Sequence, residues 1–285
     1  MKTILVTGVR GKTGREVAAT LARRAGITVR GAGRSVSELN LPQMSPVHFD
    51  WHDQSSWPSV LDGVGSIYLI KPKTSDPAET VTSFLHMARD VERVVLLSEI
   101  EGGNQDDTTD ERRVEKVIEA TASHWTILRP NWFMQNFATP SFYLEAIRDA
   151  GELVVPTAGQ PVSFVDTRDI AEVAVAALLD STHASRAYTL TGPQAITFAE
   201  AVGQIGRAAG HMVQHVDPPV ADYLAAAAAK GTTPAMLGYL GRIYDHIQRG
   251  QTAVISPHVA GVTGHPPRTF SAFVEENKQI WRRSA

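Results

Sequence analysis

The chain has no cysteine among its 285 residues. That absence removes disulfides, thiolate metal sites and cysteine nucleophiles together. No apolar run approaches the ~18 residues that a membrane span needs. A formal net charge of −3, with both signs interspersed, leaves no basic footprint for nucleic acid. The chain lacks the Gly-x-Ser-x-Gly of a serine hydrolase and the His-Glu-x-x-His of a zinc peptidase. His211, His215 and Asp217 come nearest to a metal set, but they lie in a segment that reads as a strand between Gly210 and Pro218, so no metal is expected. Gly11-Lys12-Thr13 imitates the end of a nucleotide P-loop, yet Val6 stands where that motif needs its first glycine. An apolar strand starting at Ile4 leaves no room for a signal peptide, so a cytoplasmic protein is expected. With 43% hydrophobic residues the chain can bury a sizeable core.

What is present begins with Ile4-Leu5-Val6, short and apolar like a strand buried on both faces. It runs into Gly8, Gly11 and Gly14, then into an amphipathic helix from Glu16 to Arg24. Strand, glycine turn and helix are the context in which a dinucleotide's pyrophosphate rests on a helix N-terminus. Gly8 suits the tight turn, Gly11 the close approach of backbone to phosphate, and Gly14 the packing of helix on strand. Arg10, Lys12 and Thr13 complete that turn as expected cofactor-binding residues.

The second strand, Ile27 to Ser35, ends without an acid. Roughly twenty residues past the glycines, an Asp or Glu would hold the ribose hydroxyl of NAD. Arg34 and Ser35 stand there instead, and a guanidinium and a hydroxyl suit a 2′-phosphate, with Arg10 reaching it from the turn. NADP(H) is therefore preferred over NAD(H).

A third strand, Val47 to Asp53, passes through Asp50 and Trp51, where an adenine could rest. A helix opened by Trp57 leads to a fourth strand, Ser66 to Ile70, stopped at Lys71-Pro72. Ile70, Lys71 and Pro72 are expected beside the cofactor, because ligands lie beyond the carboxyl ends of parallel strands. A helix from Pro77 to Asp90 precedes a fifth strand, Val94 to Ser98, which brings Ser98 to the same edge. The glycine-rich, acidic stretch from Glu101 to Asp110 reads as a loop, followed by a helix from Glu111 to Ala122. A sixth strand, from Trp125, stops at Pro130; Pro130, Trp132 and Phe133 are the remaining expected cofactor neighbours, with Gln135 on the substrate side. The alternation predicts an α/β fold, a doubly wound parallel sheet of Rossmann type.

Beyond it, Asp166 reads as the N-cap of a helix and Ala187 to Gly192 as a seventh strand. A helix from Phe198 to Ala209, a strand from Met212 to Val216, and helices from Val220 to Lys230 and Thr233 to Gln248 follow. Residues 1–155, with 163–192 returning to the sheet, are expected to form the dinucleotide domain, and 193–285 a mostly helical substrate-binding cap.

The glycine turn, Glu115 ahead of Trp125 to Pro130, Asn131 to Phe137, Asp166 to Ala171 and Tyr188 to Pro193 together resemble the NmrA-like branch of the atypical short-chain dehydrogenase/reductase group. The turn and the Asn131 to Phe137 loop are most similar to the ergot-alkaloid reductases of that branch. The resemblance implies an NADP(H)-binding oxidoreductase, and it raises the question of a Tyr-x-x-x-Lys pair, in which the tyrosine moves a proton and the lysine holds the ribose. Tyr68, Tyr143, Tyr188, Tyr223, Tyr239 and Tyr244 are followed four residues on by Pro72, Ile147, Gly192, Ala227, Ile243 and Gln248. Aligned on Glu115, the two positions fall near Asp107 and Glu111. The usual pair is absent.

Two readings stay open. In the preferred one, a reductase transfers hydride to an acceptor that needs little acid help, such as an imine, a quinone or an activated alkene. In the other, the protein binds NADP(H) without turnover and reports redox state to a protein partner. Candidate catalytic groups are Ser98, Glu99, Tyr143 and Tyr223, with Glu99 a counter-charge for a cationic substrate. The partner is expected to be a small molecule, with no nucleic acid or membrane, and the protein a monomer or homodimer.

Overall fold

The computed structural model describes residues 2–36, 43–100 and 108–283, with Ser141 described in backbone only. Most of the expected 101–110 loop, including Asp107, lies outside the described residues. In chain order the strands are β1 (Lys2–Thr7), β2 (Ile27–Gly33), β3 (Met44–His48), β4 (Val64–Ile70), β5 (Arg93–Leu97), β6 (His124–Pro130), β7 (Glu152–Val154), β8 (Arg186–Leu190) and β9 (Gln214–Val216). The helices are α1 (Lys12–Ala22), α2 (Trp57–Leu61), α3 (Pro77–Met87), α4 (Asp110–Thr121), α5 (Thr167–Leu179), α6 (Phe198–Ala209), α7 (Val220–Ala229), α8 (Pro234–Gln248), α9 (His258–Thr263) and α10 (Phe270–Asn277). None of the described helices is long and apolar enough to cross a membrane.

The chain forms two compact units. The first comprises Met1–Pro130, Thr167–Leu190 and His258–His265. Its seven strands make one parallel sheet in the order β3-β2-β1-β4-β5-β6-β8. Strand β1 alternates its buried side chains between the two faces. Leu5 joins Trp57, Val81, Phe84 and Ile127 on one side, while Ile4 and Val6 point to the face where α1 packs against α5. The strand order reverses between β1 and β4, which places the topological switch point beside the glycine turn.

The second unit comprises Asn131–Asp166, Thr191–Pro257 and Pro266–Ala285. Its core gathers around Phe137, whose ring meets Tyr143, Phe164, Phe198 and Phe270. The Phe137 carbonyl accepts the buried Trp281 indole N–H at 2.8 Å. Helix α6 is set on this core by a capping box at Thr197 and Glu200, the N-terminal device that satisfies two orphan amides reciprocally.

Several boundaries differ from the expectations. Helix α1 starts at Lys12, not Glu16, so Gly14 lies inside it. Strand β3 ends at His48, leaving Asp50 and Trp51 in the turn beyond, where Asp50 accepts from the His52 amide at 3.0 Å. The expected strand from Met212 shortens to β9 and pairs in parallel with β7, a segment with no strand expectation. Wide π-helical turns, Pro140–Leu144 and Ala146–Ala150, also had no counterpart in the pattern.

Candidate functional site

The glycine turn is built by close contact. Gly8 has a φ of +60°, and a Cβ there would stand 2.8 Å from Ile70 Cδ1. A Cβ on Gly11 would stand 3.1 Å from the Gly8 carbonyl oxygen, and one on Gly14 2.4 Å from it. Only glycine allows this turn to stay so tight. The turn ends in a bare helix terminus. Side chains of Asp76, Thr109, Thr197, Thr233 and Thr269 cap α3, α4, α6, α8 and α10. At α1 the cap position is Gly11, with no side-chain cap and no acid in the first turn. A helix terminus that no side chain caps, reached through a turn with little side-chain bulk, fits a pyrophosphate at its positive end. Thr13 is buried under the turn, and burial pushes the half-buried Lys12 ammonium down to about 8.

Arg10 crosses from the turn to the end of β2, where its guanidinium donates to the Ser35 carbonyl at 2.9 Å. Arg34 and Ser35 are both exposed there. The structure therefore brings Arg10, Arg34 and Ser35 to one place. Trp51 is half-buried, its ring edge-on to Phe49 and Phe84 at 4.6 and 5.0 Å. One side of the indole is thus committed to the core.

On the other side of the switch point, Thr7 pins the ends of β1 and β4 together. Its hydroxyl donates to the Tyr68 carbonyl at 3.1 Å and accepts from the Ile70 amide at 2.8 Å. Pro72 is buried and Lys71 half-buried, with the Lys71 ammonium paired to Glu111. Ser98, just past β5, donates to Glu115 Oε1 at 2.7 Å. Glu115 is wholly buried and also takes both ends of the Arg129 fork, at 3.0 and 2.7 Å, and Arg112 at 2.9 Å. Burial alone would raise this carboxyl, but hydrogen bonds from Arg129, Ser98 and Arg112 hold it below the ordinary carboxylate value. The Ser98 proton is committed to that network. Glu99 is half-buried beside it, and Pro130 is buried at the end of β6.

The remaining candidates belong to the second unit. Phe133 bridges to Val165, and Gln135 donates to the buried Asp166 at 2.8 Å. Trp132 stacks on Tyr244 with ring centroids 6.1 Å apart. Tyr223 meets Tyr244 edge-on at 5.1 Å, and the Tyr244 hydroxyl donates to the Tyr223 hydroxyl at 3.3 Å. Burial, with neighbouring Tyr223 and Tyr239, raises the Tyr143 phenol. Tyr143 and Tyr223 thus lie in one aromatic cluster with Trp132 and Tyr244. His211 and His215 spend a ring nitrogen each on the carbonyls of Ile147 and Val155, at 3.2 and 2.8 Å. Asp217 holds the loop at Thr157, and among the described residues no group of acids and histidines could hold a metal ion.

Residue-type reasoning missed Glu111 as the partner of Lys71, Glu115 as the hub of the arginine network, and Tyr244 as the partner of Tyr223. A signal for the two acids is present. Glu111, Val114, Glu115 and Ile118 form the buried stripe of α4, so both carboxylates sit at helical spacing among apolar residues.

A parallel sheet with a bare glycine-turn helix at its switch point defines a dinucleotide-binding protein of Rossmann type. Residues 8–181 match the family described as NAD(P)H-binding. A (4-alkanoyl-5-oxo-2,5-dihydrofuran-3-yl)methyl phosphate reductase of Streptomyces griseus is 31% identical, over 98% of this chain and 99% of its own. An agroclavine dehydrogenase of Claviceps fusiformis is 28% identical over 98% of each chain. An NADPH-dependent quinone oxidoreductase of Escherichia coli, solved with NADPH, has a TM-score of 0.79 at 20% identity, covering 96% of this chain and 99% of its own. At that identity the likeness speaks for the fold. The chain belongs to the NAD(P)H-binding family, and its relatives include oxidoreductases.

Proposed function

We propose that this protein is an NADPH-dependent reductase of a small conjugated acceptor: a quinone, an activated alkene or an iminium ion. The observation that carries the reading is the carboxyl edge of the first unit, where a bare glycine turn stands beside Arg10, Arg34 and Ser35 with no acid at the end of β2. Gly8, Gly11 and Gly14 would admit the pyrophosphate to the N-terminus of α1. Arg10 and Arg34 would take the 2′-phosphate in charge-assisted hydrogen bonds, which selects NADPH over NADH. When bound, the nicotinamide supplies a hydride.

Acceptors of this kind take hydride at a carbon that is already electron-poor, so what remains is good positioning and, for a quinone or an alkene but not an iminium ion, one proton. That demand suits a chain without a Tyr-x-x-x-Lys pair. The Streptomyces relative supports the choice: its name describes a dihydrofuran whose ring double bond is conjugated to the 5-oxo group and to the 4-alkanoyl carbonyl, an activated alkene. The Escherichia coli neighbour is named for quinones. In the second unit, Trp132, Tyr143 and Tyr223 are half-buried members of an aromatic cluster around the buried Tyr244. Tyr223, whose hydroxyl accepts from Tyr244, keeps its own proton to donate and is the proton-donor candidate of that cluster.

The test is NADPH consumption by the purified protein against a panel of quinones, enones, butenolides and cyclic imines. Turnover of at least one class, slowed in Tyr223→Phe, is the expected result. Tight NADPH binding with no turnover on the whole panel would favour the redox-sensing reading.

A further inference from the structure

Lys71 leaves β4 at the switch point, and the Thr7 staple fixes where its backbone stands. Its ammonium is paired with Glu111 in the first turn of α4. The two partners differ sharply in exposure: the Glu111 side chain is 3% accessible and the Lys71 side chain 26%. A lysine ammonium has three donors, and among the described residues Glu111 is the one partner Lys71 shows. The carboxylate is therefore buried behind the ammonium, which faces outward at the carboxyl edge with donors to spare. A buried carboxylate favours a cation at its side, and the pair with Glu111 fixes where the Lys71 ammonium stands.

We propose that Lys71 grips the nicotinamide half of the dinucleotide, through the hydroxyls of the nicotinamide ribose, and that Glu111 is the positioning residue that holds its ammonium there. This rests on the cofactor reading above. A dinucleotide laid across the switch point has its 2′-phosphorylated ribose toward Arg34, at the end of β2, and its other half beyond β4 and β5. Lys71 stands on that second side. It also screens the approaching phosphates from the buried Glu111 charge.

Calorimetric titration tests the assignment with two ligands, NADPH and adenosine 2′,5′-bisphosphate, which has the adenine, its ribose and the 2′-phosphate but no nicotinamide half. Lys71→Met should lose about tenfold or more in NADPH affinity and keep its bisphosphate affinity within about twofold. The double variant Lys71→Met/Glu111→Leu removes both charges of the pair, so no carboxylate stays buried there without the lysine, and it should show the same split. Glu111→Gln should show it more weakly, since the ammonium survives but is no longer tethered. Unchanged NADPH affinity with a lowered melting temperature would make the pair a mere structural tie and overturn the proposal. Equal losses on both ligands would overturn it too. Wild-type protein that binds neither ligand would sink the cofactor reading, whereas bisphosphate binding that survives alone separates the two failures.

Discussion

Gly14 stands so close to Gly8 that a Cβ in place of its hydrogen would sit 2.4 Å from the Gly8 carbonyl oxygen. The neighbour is backbone, so it cannot swing aside, and α1 would have to lift from the end of β1. Gly14→Ala should therefore lower the melting temperature and cut NADPH affinity by about tenfold or more, since the helix terminus would no longer meet the pyrophosphate. Gly238→Ala is the control. Its Cβ meets nothing within 4 Å inside α8, so it should leave binding alone and gain up to about 1 kcal/mol of stability from helix propensity. Equal behaviour of the two variants would contradict the cradle.

Lys12 predicts a pH dependence. Its ammonium is pushed down to about 8 by burial, from an ordinary value of 10.5. Between those values the unfolded chain binds more protons than the folded one, so this group's contribution to stability rises with pH across the window. Phosphate binding favours the protonated form and works in the opposite sense. NADPH affinity should fall as pH rises through about 8, with proton uptake on binding, and Lys12→Met should flatten the profile. Titrations in two buffers of different ionisation heat read the uptake directly.

The Ser98–Glu115–Arg129 network makes a different prediction. Removing the buried carboxylate takes the paired acceptor from the Arg129 guanidinium and from Ser98, while Arg112 keeps Glu119, so Glu115→Ala should cost about 3 kcal/mol in denaturant unfolding. Ser98→Ala removes one hydrogen bond to a charged acceptor, about 1.5–3 kcal/mol. Its turnover should stay within about twofold, because the Ser98 proton is already spent on Glu115. A collapse of turnover in folded Ser98→Ala would return that hydroxyl to the list of proton donors.

The first unit is far more legible from residue types than the second, for a physical reason. Parallel strands are buried on both faces, so Ile4 to Val6 and Val94 to Leu97 read as apolar runs, and helices alternate with them in chain order. Gly14 misleads because glycine is a poor helix former, and the pattern breaks where a contact with Gly8 in fact demands it. Glu111 and Glu115 read as solvated helix charges by type, although their spacing puts them among Val114 and Ile118 on the buried face of α4. In the second unit, β7 has three residues, Glu-Leu-Val, and its partner β9 lies about sixty residues on. No local pattern announces such a pairing. The aromatic cluster is assembled from residues as far apart as Trp132 and Tyr244.

Asp217 anchors the loop at residues 157–159. Its carboxylate accepts from the amides of Thr157, Ala158 and Gly159 at 2.5, 3.0 and 2.7 Å, and from the Thr157 hydroxyl at 2.9 Å. Burial would raise this carboxyl, and the amide bonds from Gly159 and Thr157 more than offset that, so it lies below its ordinary 3.8. A depressed carboxylate stabilises the fold above its unfolded pKa, and that stability is lost as pH falls through the folded value. Asp217→Asn should lose roughly 1–2 kcal/mol at neutral pH, discounted for the exposure of the site. The gap from wild type should close in acid, as followed by thermal melts below pH 4.

The most direct test of the cofactor reading is a paired titration of NADPH and NADH into wild-type protein and Arg10→Ala/Arg34→Ala. The wild type should bind NADPH at least about tenfold more tightly than NADH, and the double variant should lose most of that preference while still binding NADH. Equal wild-type affinities for the two nucleotides, or a preference that survives loss of both arginines, would contradict it.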